Sequence, residues 1–332
     1  MTPAELEHEL RQMVAKEIRC SVMIWGPPGV GKSSIVAQIA ADGGIGLVDL
    51  RLSQLAPTDL RGLPVAEDGR STWYPPNFLP QDGKGVLFLD EINMAPPAMQ
   101  GVAQQLILDR RIGDYVVPEG WYVWAAGNRK IDRAAVFDMP SALANRFLHY
   151  EVEPEITAFK DWALRSELSE EIIGFLLFRP NLLHKYKPNQ LAWPSPRSWQ
   201  MADQLHKADL TTAPAVGDAV AGEFEAYCKV VKKIPDLERI LSGKSKVKFP
   251  AEASARYAVV LGLATRAKTP AKVKHALKWL REKAGGEWVQ LFVSDVFTLY
   301  RERQQLGPLL KELNSDTELK KMARELRDVM LS

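Results

Sequence analysis

Cysteine is almost missing from this chain: 332 residues contain two, Cys20 and Cys228. Two thiols so far apart in sequence make no disulfide framework and no metal-ligand spacing. The five histidines form no HExxH or paired cluster, so nothing signals a structural metal. Charge of one sign is scarce too. The 43 Lys and Arg residues against 41 Asp and Glu leave a net charge of +2. No strong global field therefore selects nucleic acid or a membrane surface. No apolar run reaches about eighteen residues, the length that signals a membrane-spanning helix. The opening stretch, MTPAELEHELRQMVAKEI, has no apolar signal-peptide core. Its Thr2, Pro3 and Glu5 instead match N-cap, N1 and N3 of an amphipathic helix predicted over Pro3–Ile18. With 46% hydrophobic and 25% charged residues, the composition is ordinary for a soluble globular protein. The expectation is a cytoplasmic chain of two or three domains.

The most informative stretch is GPPGVGKS, Gly26 to Ser33, which fits G-x-x-x-x-G-K-[ST]. Glycines let the backbone curl so that successive N–H groups face phosphate oxygens. The cradle comprises Gly26, Pro27, Pro28, Gly29, Val30, Gly31, Lys32, Ser33 and Ser34. Lys32 supplies a point charge for the terminal phosphates, and the Ser33 hydroxyl suits Mg²⁺. Ser21–Trp25 reads as a buried strand and Ser33–Ala41 as a helix, so the loop opens on a helix N-terminus. A Gly/Pro turn with a chance lysine is the plainer alternative.

Downstream, Gly85-Val-Leu-Phe-Leu-Asp90-Glu91 reads as an apolar strand ending in two carboxylates. The carboxyl end of a strand is where an α/β sheet presents its chemistry. Asp90 would hold Mg²⁺, directly or through water, and Glu91 would act as general base on the attacking water. The alternative is two acids capping the helix after Pro96. A further strand, Trp121–Ala126, ends in Gly127-Asn128, where an amide could sit between water and γ-phosphate. Gly-Asn is also a common turn. No N-K-x-D guanine-reading motif is present, which favours ATP over GTP.

Strands are predicted at Ser21–Trp25, Leu47–Leu52, Val86–Asp90, Tyr122–Ala126 and Phe147–Val152, with helices between them. That alternation indicates a parallel sheet covered on both faces. Asp68-Gly69 inside Val65–Tyr74 signals a β hairpin. After about Glu155 the strand signal disappears. Helices are predicted at Ile156–Arg165, Ser169–Phe178 and Pro196–Lys207, with a Pro-rich loop at Asn181–Ser195. Further helices are predicted from Thr211 towards Lys232 and at Ala251–Ala264, Pro270–Lys283, Glu287–Gln304 and Asp316–Leu331. The stripe Leu319, Met322, Leu326 and Met330 in the last of these suits core packing.

The order GPPGVGKS, GVLFLDEIN, AAGN, ALANRF, SPRSW resembles AAA+ ATPases of the MoxR-like group, in the dynein-related subfamily. The resemblance covers about the first two hundred residues. It implies an α/β fold, with a P-loop NTPase parallel sheet (AAA+ core) over residues 1–153. An all-α lid would follow over 154–208; past the end of the family motifs, the helices predicted above make a C-terminal helical region over 209–332. PTDLRG at Pro57–Gly62 looks like the segment before the family's helix-2 insertion, and Arg110–Pro118 like the hairpin before sensor 1. Asn128 falls on sensor 1, Arg146 on the arginine finger, and Arg197 on sensor 2. Arg129 departs from the family's usual proline, and Asn145 from a common aspartate. The resemblance also implies ATP and Mg²⁺ as cofactors and a homo-oligomeric, hexameric ring whose sites lie between subunits. An ordinary surface ion pair is the alternative for Arg146, and a plain helix-start arginine for Arg197.

Three functions remain open at this point. One is an ATP-driven machine that remodels, assembles or activates a protein client, as the resemblance implies; a client with a von Willebrand factor A domain fits that group. Another is a DNA-acting motor or a subunit of a nucleic-acid-processing complex. The third is a nucleotide-dependent scaffold, against which Lys32, Asp90 and Glu91 all speak. The basic stretch Lys229–Lys248 lacks interleaved aromatics for base stacking, so solvated lysines are favoured over nucleic-acid binding. Trp73 and Tyr74, in the inserted segment Pro64–Pro76, are candidate client contacts, with packing against the sheet as the alternative.

Overall fold

The computed structural model describes residues 1–132, 137–187, 190–244 and 246–314. Two compact units divide the chain, Met1–Glu155 and Ile156–Ser332. In the first, the chain runs α1 (Pro3–Ala15), β1 (Val22–Trp25), α2 (Lys32–Asp42), β2 (Gly46–Arg51), α3 (Pro57–Arg61), β3 (Leu63–Glu67) and β4 (Arg70–Tyr74). It continues through β5 (Gly85–Asp90), α4 (Pro97–Leu108), β6 (Arg111–Ile112), β7 (Tyr115–Val116), β8 (Trp121–Gly127), α5 (Ser141–Ala144) and β9 (Leu148–Glu151).

Five of these strands make a sheet in the order β2-β5-β8-β1-β9, and every pairing is parallel. The expected α/β class and doubly covered parallel sheet are therefore present. Alternation explains the two faces. Val86 and Phe88 of β5 join Ile24, Trp124 and the helical Leu6, Leu10, Val36 and Ile39 on one side. Leu87 and Leu89 join Met23, Val123 and the helical Met99 and Leu106 on the other. Each such buried side chain contributes about 1.5–3 kcal/mol of transfer free energy, which fixes the strand ends that carry the site.

Local capping follows the sequence closely at the start. Thr2 Oγ1 accepts the Glu5 N–H at 3.2 Å, and the Glu5 carboxylate accepts the Thr2 N–H at 2.8 Å. The helix stops at Ala15, earlier than Ile18, because Glu17 turns left-handed at φ 52°. The β3–β4 hairpin pairs Leu63 with Tyr74 and Glu67 with Arg70 around Asp68-Gly69. Gly62, at φ 87°, leads into it. A Cβ there would lie 1.9 Å from the Tyr74 carbonyl oxygen, so only glycine fits.

The second unit is helical among its described residues: α6 (Ile156–Arg165), α7 (Glu170–Phe178), α8 (Pro196–Lys207), α9 (Ala213–Val216), α10 (Asp218–Val231), α11 (Leu237–Leu241), α12 (Ala253–Arg266), α13 (Pro270–Lys283), α14 (Gly286–Glu302) and α15 (Leu306–Asn314). The single helix expected from Thr211 towards Lys232 is broken at Gly217, whose φ of 85° and ψ of 151° are not helical. One apolar cluster joins Phe159, Phe175 and Trp199 to Phe224, Tyr227 and Leu261, so segments before and after residue 209 share a core. A second cluster is built from α11 to α15. Between α6 and α14, the buried Lys160 ammonium donates to Asp295 at 2.6 Å. Burial pushes the Asp295 carboxyl up to about 6, against the opposing pull of Lys160. The helix predicted at Asp316–Leu331 lies outside the described residues. Among the described residues, no helix is long and apolar enough to cross a membrane, and both cysteines are free.

Candidate active site

The phosphate loop leaves β1 at Trp25 and enters α2 at Lys32. Gly29 and Gly31 take φ of 78° and 104°, the curl that a phosphate cradle requires. Gly26 is needed for a different reason: a Cβ there would meet the Val152 carbonyl oxygen at 2.7 Å. The loop runs directly into the N-terminus of α2, the end of a helix that favours an anion. Lys32 is 8% exposed. Its ammonium donates to the Gly26 carbonyl at 2.8 Å, the Pro27 carbonyl at 3.2 Å and Asn128 Oδ1 at 3.0 Å. Three oxygens thus hold the cation at the loop, where phosphate oxygens could take their place. Ser34 is exposed and Ser33 half-buried.

The parallel register carries the other residues to the same end of the sheet. β5 lies between β2 and β8, and β8 lies between β5 and β1. Ser33 Oγ donates to Asp90 Oδ2 at 2.6 Å, joining two residues 57 apart in sequence. Asp90 Oδ1 accepts the Glu91 N–H at 2.8 Å. Asp49, on β2, adds a third carboxylate nearby. Desolvation raises its pKa, and the charges of Asp90 and Glu91 raise it further. Among the described residues no three His, Cys, Asp or Glu side chains are grouped to cage a metal ion. A divalent cation here would therefore need phosphate oxygens to complete the set begun by Ser33 and Asp90.

Glu91 itself adopts a left-handed backbone, φ 55° and ψ 34°. That conformation costs a non-glycine residue on the order of 1 kcal/mol. It is accompanied by a contact that sequence reading missed: Ser53 Oγ donates to Glu91 Oε2 at 2.7 Å. Ser53 lies just beyond β2, in a single turn over Leu52–Gln54, and no motif marks it. A hydroxyl donated to a carboxylate steadies it away from other proton transfers. Ser53→Ala is expected to raise basal nucleotide turnover about three- to tenfold, in line with one net hydrogen bond. A steady-state phosphate-release assay checks this; an equal fall in turnover would mean that Ser53 aims Glu91 at the water.

Asn93 is the second residue whose role the sequence left unassigned. Its amide is buried and clamps the residue after β8 from both sides. Nδ2 donates to the Asn128 carbonyl at 2.7 Å, and Oδ1 accepts the Asn128 N–H at 3.3 Å. Gly127 makes room for the clamp, since a Cβ there would lie 2.5 Å from Asn93 Oδ1. Asn128 is thereby presented to Lys32. Arg129, the departure noted above, pairs in two bonds with Asp132 and also with Glu153, tying the loop after β8 to the end of β9. Those bonds raise the pKa of its guanidinium.

The two further arginines differ in setting. Arg146 is exposed in the turn after α5, and among the described residues no carboxylate pairs with it. Arg197 belongs to the helical unit, exposed in the first turn of α8, which Ser195 and Ser198 cap reciprocally.

The chain is similar to several known proteins. Midasin of Giardia intestinalis is 26% identical over 184 residues, covering 53% of this chain and 4% of that protein, so the chain spans a small part of its length. Among solved structures, a Thermotoga maritima RuvB mutant shares 17% identity with a TM-score of 0.40, over 82% of this chain and 85% of that one. NtrX from Brucella abortus in complex with ATP shares 14% with a TM-score of 0.39, over 97% and 68%. Residues 21–147 match the family model described as AAA domain (dynein-related subfamily). That span holds the phosphate loop, both carboxylates, Asn128 and Arg146, and it identifies residues 21–147 as an AAA domain of the dynein-related subfamily.

Proposed function

We propose that this chain hydrolyses ATP with Mg²⁺ as one subunit of a cytoplasmic MoxR-like AAA+ ring, hexameric by analogy, that remodels, assembles or activates a protein partner. The observation that carries the reading is the convergence of Lys32, Asn128, the Ser33–Asp90 pair and Glu91 on one end of the sheet. Gly26 to Ser34 would wrap the phosphates, with Lys32 exchanging its carbonyl acceptors for phosphate oxygens. Mg²⁺, when bound, neutralises charge developing on the β- and γ-oxygens. Ser33 and Asp90 would hold it. Glu91 would take a proton from the attacking water, and the Asn128 amide would orient that water against the γ-phosphate. Arg146 would serve a neighbouring subunit's site, and Arg197 would act as sensor 2.

A protein client is favoured over nucleic acid by the surface. β-strand alternation puts Trp73 and Tyr74 on opposite faces of the hairpin. Tyr74 shares its face with Leu63 and Val65, and these three are 48%, 73% and 42% exposed. Trp73 is half-buried on the other face. The lysines between Lys229 and Lys248 are exposed, with no aromatic exposed among them. A partner with a von Willebrand factor A domain is the specific candidate from the family resemblance.

The test uses a client recovered with Glu91→Gln protein held in ATP. Substituting Leu63 and Tyr74 together with alanine should lower client-stimulated turnover about fivefold or more, the scale of an interface hot spot, with basal hydrolysis unchanged. Turnover raised several-fold by DNA alone, without any protein client, would replace this reading with a DNA-acting motor.

A further inference from the structure

Two hydrogen bonds join His149 to both halves of the candidate site. The Trp25 indole N–H donates to Nδ1 at 2.9 Å, and Nε2 lies 2.8 Å from the Ala144 carbonyl oxygen. The partners assign the tautomer. An indole N–H only donates, so Nδ1 is the bare acceptor; a carbonyl only accepts, so the proton sits on Nε2. The neutral ring stacks on Trp25 with an interplanar angle of 10° and centres 6.2 Å apart. Phe147 meets it edge-on at 6.1 Å.

Each anchor leads to a residue of the proposed reaction. Trp25 ends β1 and precedes Gly26, whose carbonyl accepts the Lys32 ammonium at 2.8 Å. Ala144 ends α5, and its carbonyl also accepts the Phe147 N–H at 3.2 Å, closing the turn that carries Arg146. α5 is 4 residues long, too short to hold its last turn by helical cooperativity. The Arg146 N–H is itself held by the Leu143 carbonyl at 3.1 Å, and His149 adds a side-chain bond to the Ala144 carbonyl in the same turn, which bears on the direction of Arg146.

We infer that His149 is a positioning residue, linking the phosphate loop of a subunit to the arginine which that same subunit offers its neighbour. The inference rests on the reading of Arg146 as a trans-acting group. A shift of the loop at Trp25 passes through a rigid imidazole to Ala144 and so to Arg146. Nucleotide in one site thereby alters the geometry presented to the next, by a chain of contacts with no slack side chain in it.

Subunit mixing tests this on the full-length chain. His149→Phe keeps a ring against Trp25 and removes both hydrogen bonds; His149→Gln keeps a donor and an acceptor. His149→Phe should lower turnover about tenfold, the scale of a misplaced catalytic group, with affinity for ATP unchanged, and His149→Gln should recover most of it. Mixing His149→Phe subunits with Lys32→Ala subunits should restore activity, because the second supplies a well-placed arginine to the intact sites of the first. Mixing with Arg146→Ala subunits should not. Wild-type turnover in His149→Phe, or no recovery with Lys32→Ala subunits, overturns the inference, the latter by placing the defect in the variant's own site or fold. Where His149→Phe does not fold, Trp25→Phe, which removes the indole donor, carries the same mixing test. If Arg146→Ala and Lys32→Ala subunits fail to rescue each other, it is the trans-arginine reading that has failed, and this inference falls with it.

Discussion

Glu91→Gln will stop ATP turnover while leaving ATP binding close to that of the unmodified chain. The amide has the size of the carboxylate and still accepts a hydrogen bond from Ser53, which lies 2.7 Å from Glu91 Oε2. The left-handed backbone at φ 55° is retained, and the Ser33–Asp90 pair is untouched. What is lost is the proposed base. General-base catalysis is worth about 10²–10⁴-fold, so phosphate release in a single turnover should fall by that factor while titration with a fluorescent ATP analogue changes little. The trapped ATP should also hold the oligomer together, visible as a larger species in light scattering. Turnover within about threefold of wild type, against a general base's usual contribution, removes Glu91 from the role of base and returns the two acids to helix capping.

The second large effect is loss and recovery across subunits. Arg146→Ala alone should reduce turnover about 10³-fold or more, the usual worth of an arginine finger. Lys32→Ala alone should do so through lost phosphate binding, since this ammonium is the cation held within the loop. Mixed in equal amounts and assembled at random, about a quarter of the interfaces would pair an intact loop from one variant with an intact arginine from the other. Activity should therefore return towards about a quarter of wild type. The exposure of Arg146, with no carboxylate partner among the described residues, is what leaves it available to a neighbour. A monomer, isolated and stable, with full turnover would rule out a shared site.

Much of this site was legible in one dimension because its signals are local. Gly29 and Gly31 mark positive φ within eight residues, and apolar β5 and β8 announce buried parallel strands. Thr2 and Glu5 cap a helix over one turn. Where prediction slipped, a local pattern met a distant constraint. The stretch from Thr211 reads as one helix until Gly217 turns out to take a non-helical backbone with Ala192 close by, a Cβ there lying 3.0 Å from its carbonyl oxygen. Trp73 and Tyr74 look equivalent as neighbours in sequence, yet the period of two in a strand gives them opposite faces. Arg129, a mismatch to the family pattern, is held by Asp132 three residues on and also by the distant Glu153.

Residue order alone was enough to predict the α/β class and to nominate the Gly26–Ser33 loop and the two carboxylates as candidates, because glycine geometry, apolar runs and caps act over a few residues. The order of the strands was not, since a crossover connection can place the next strand on either side. It took the arrangement β2-β5-β8-β1-β9 to set Ser53 on Glu91, Asn93 on Asn128, and His149 between Trp25 and Ala144. Each of these is a directional bond of about 3 Å, and directionality at that range depends on which strands lie side by side.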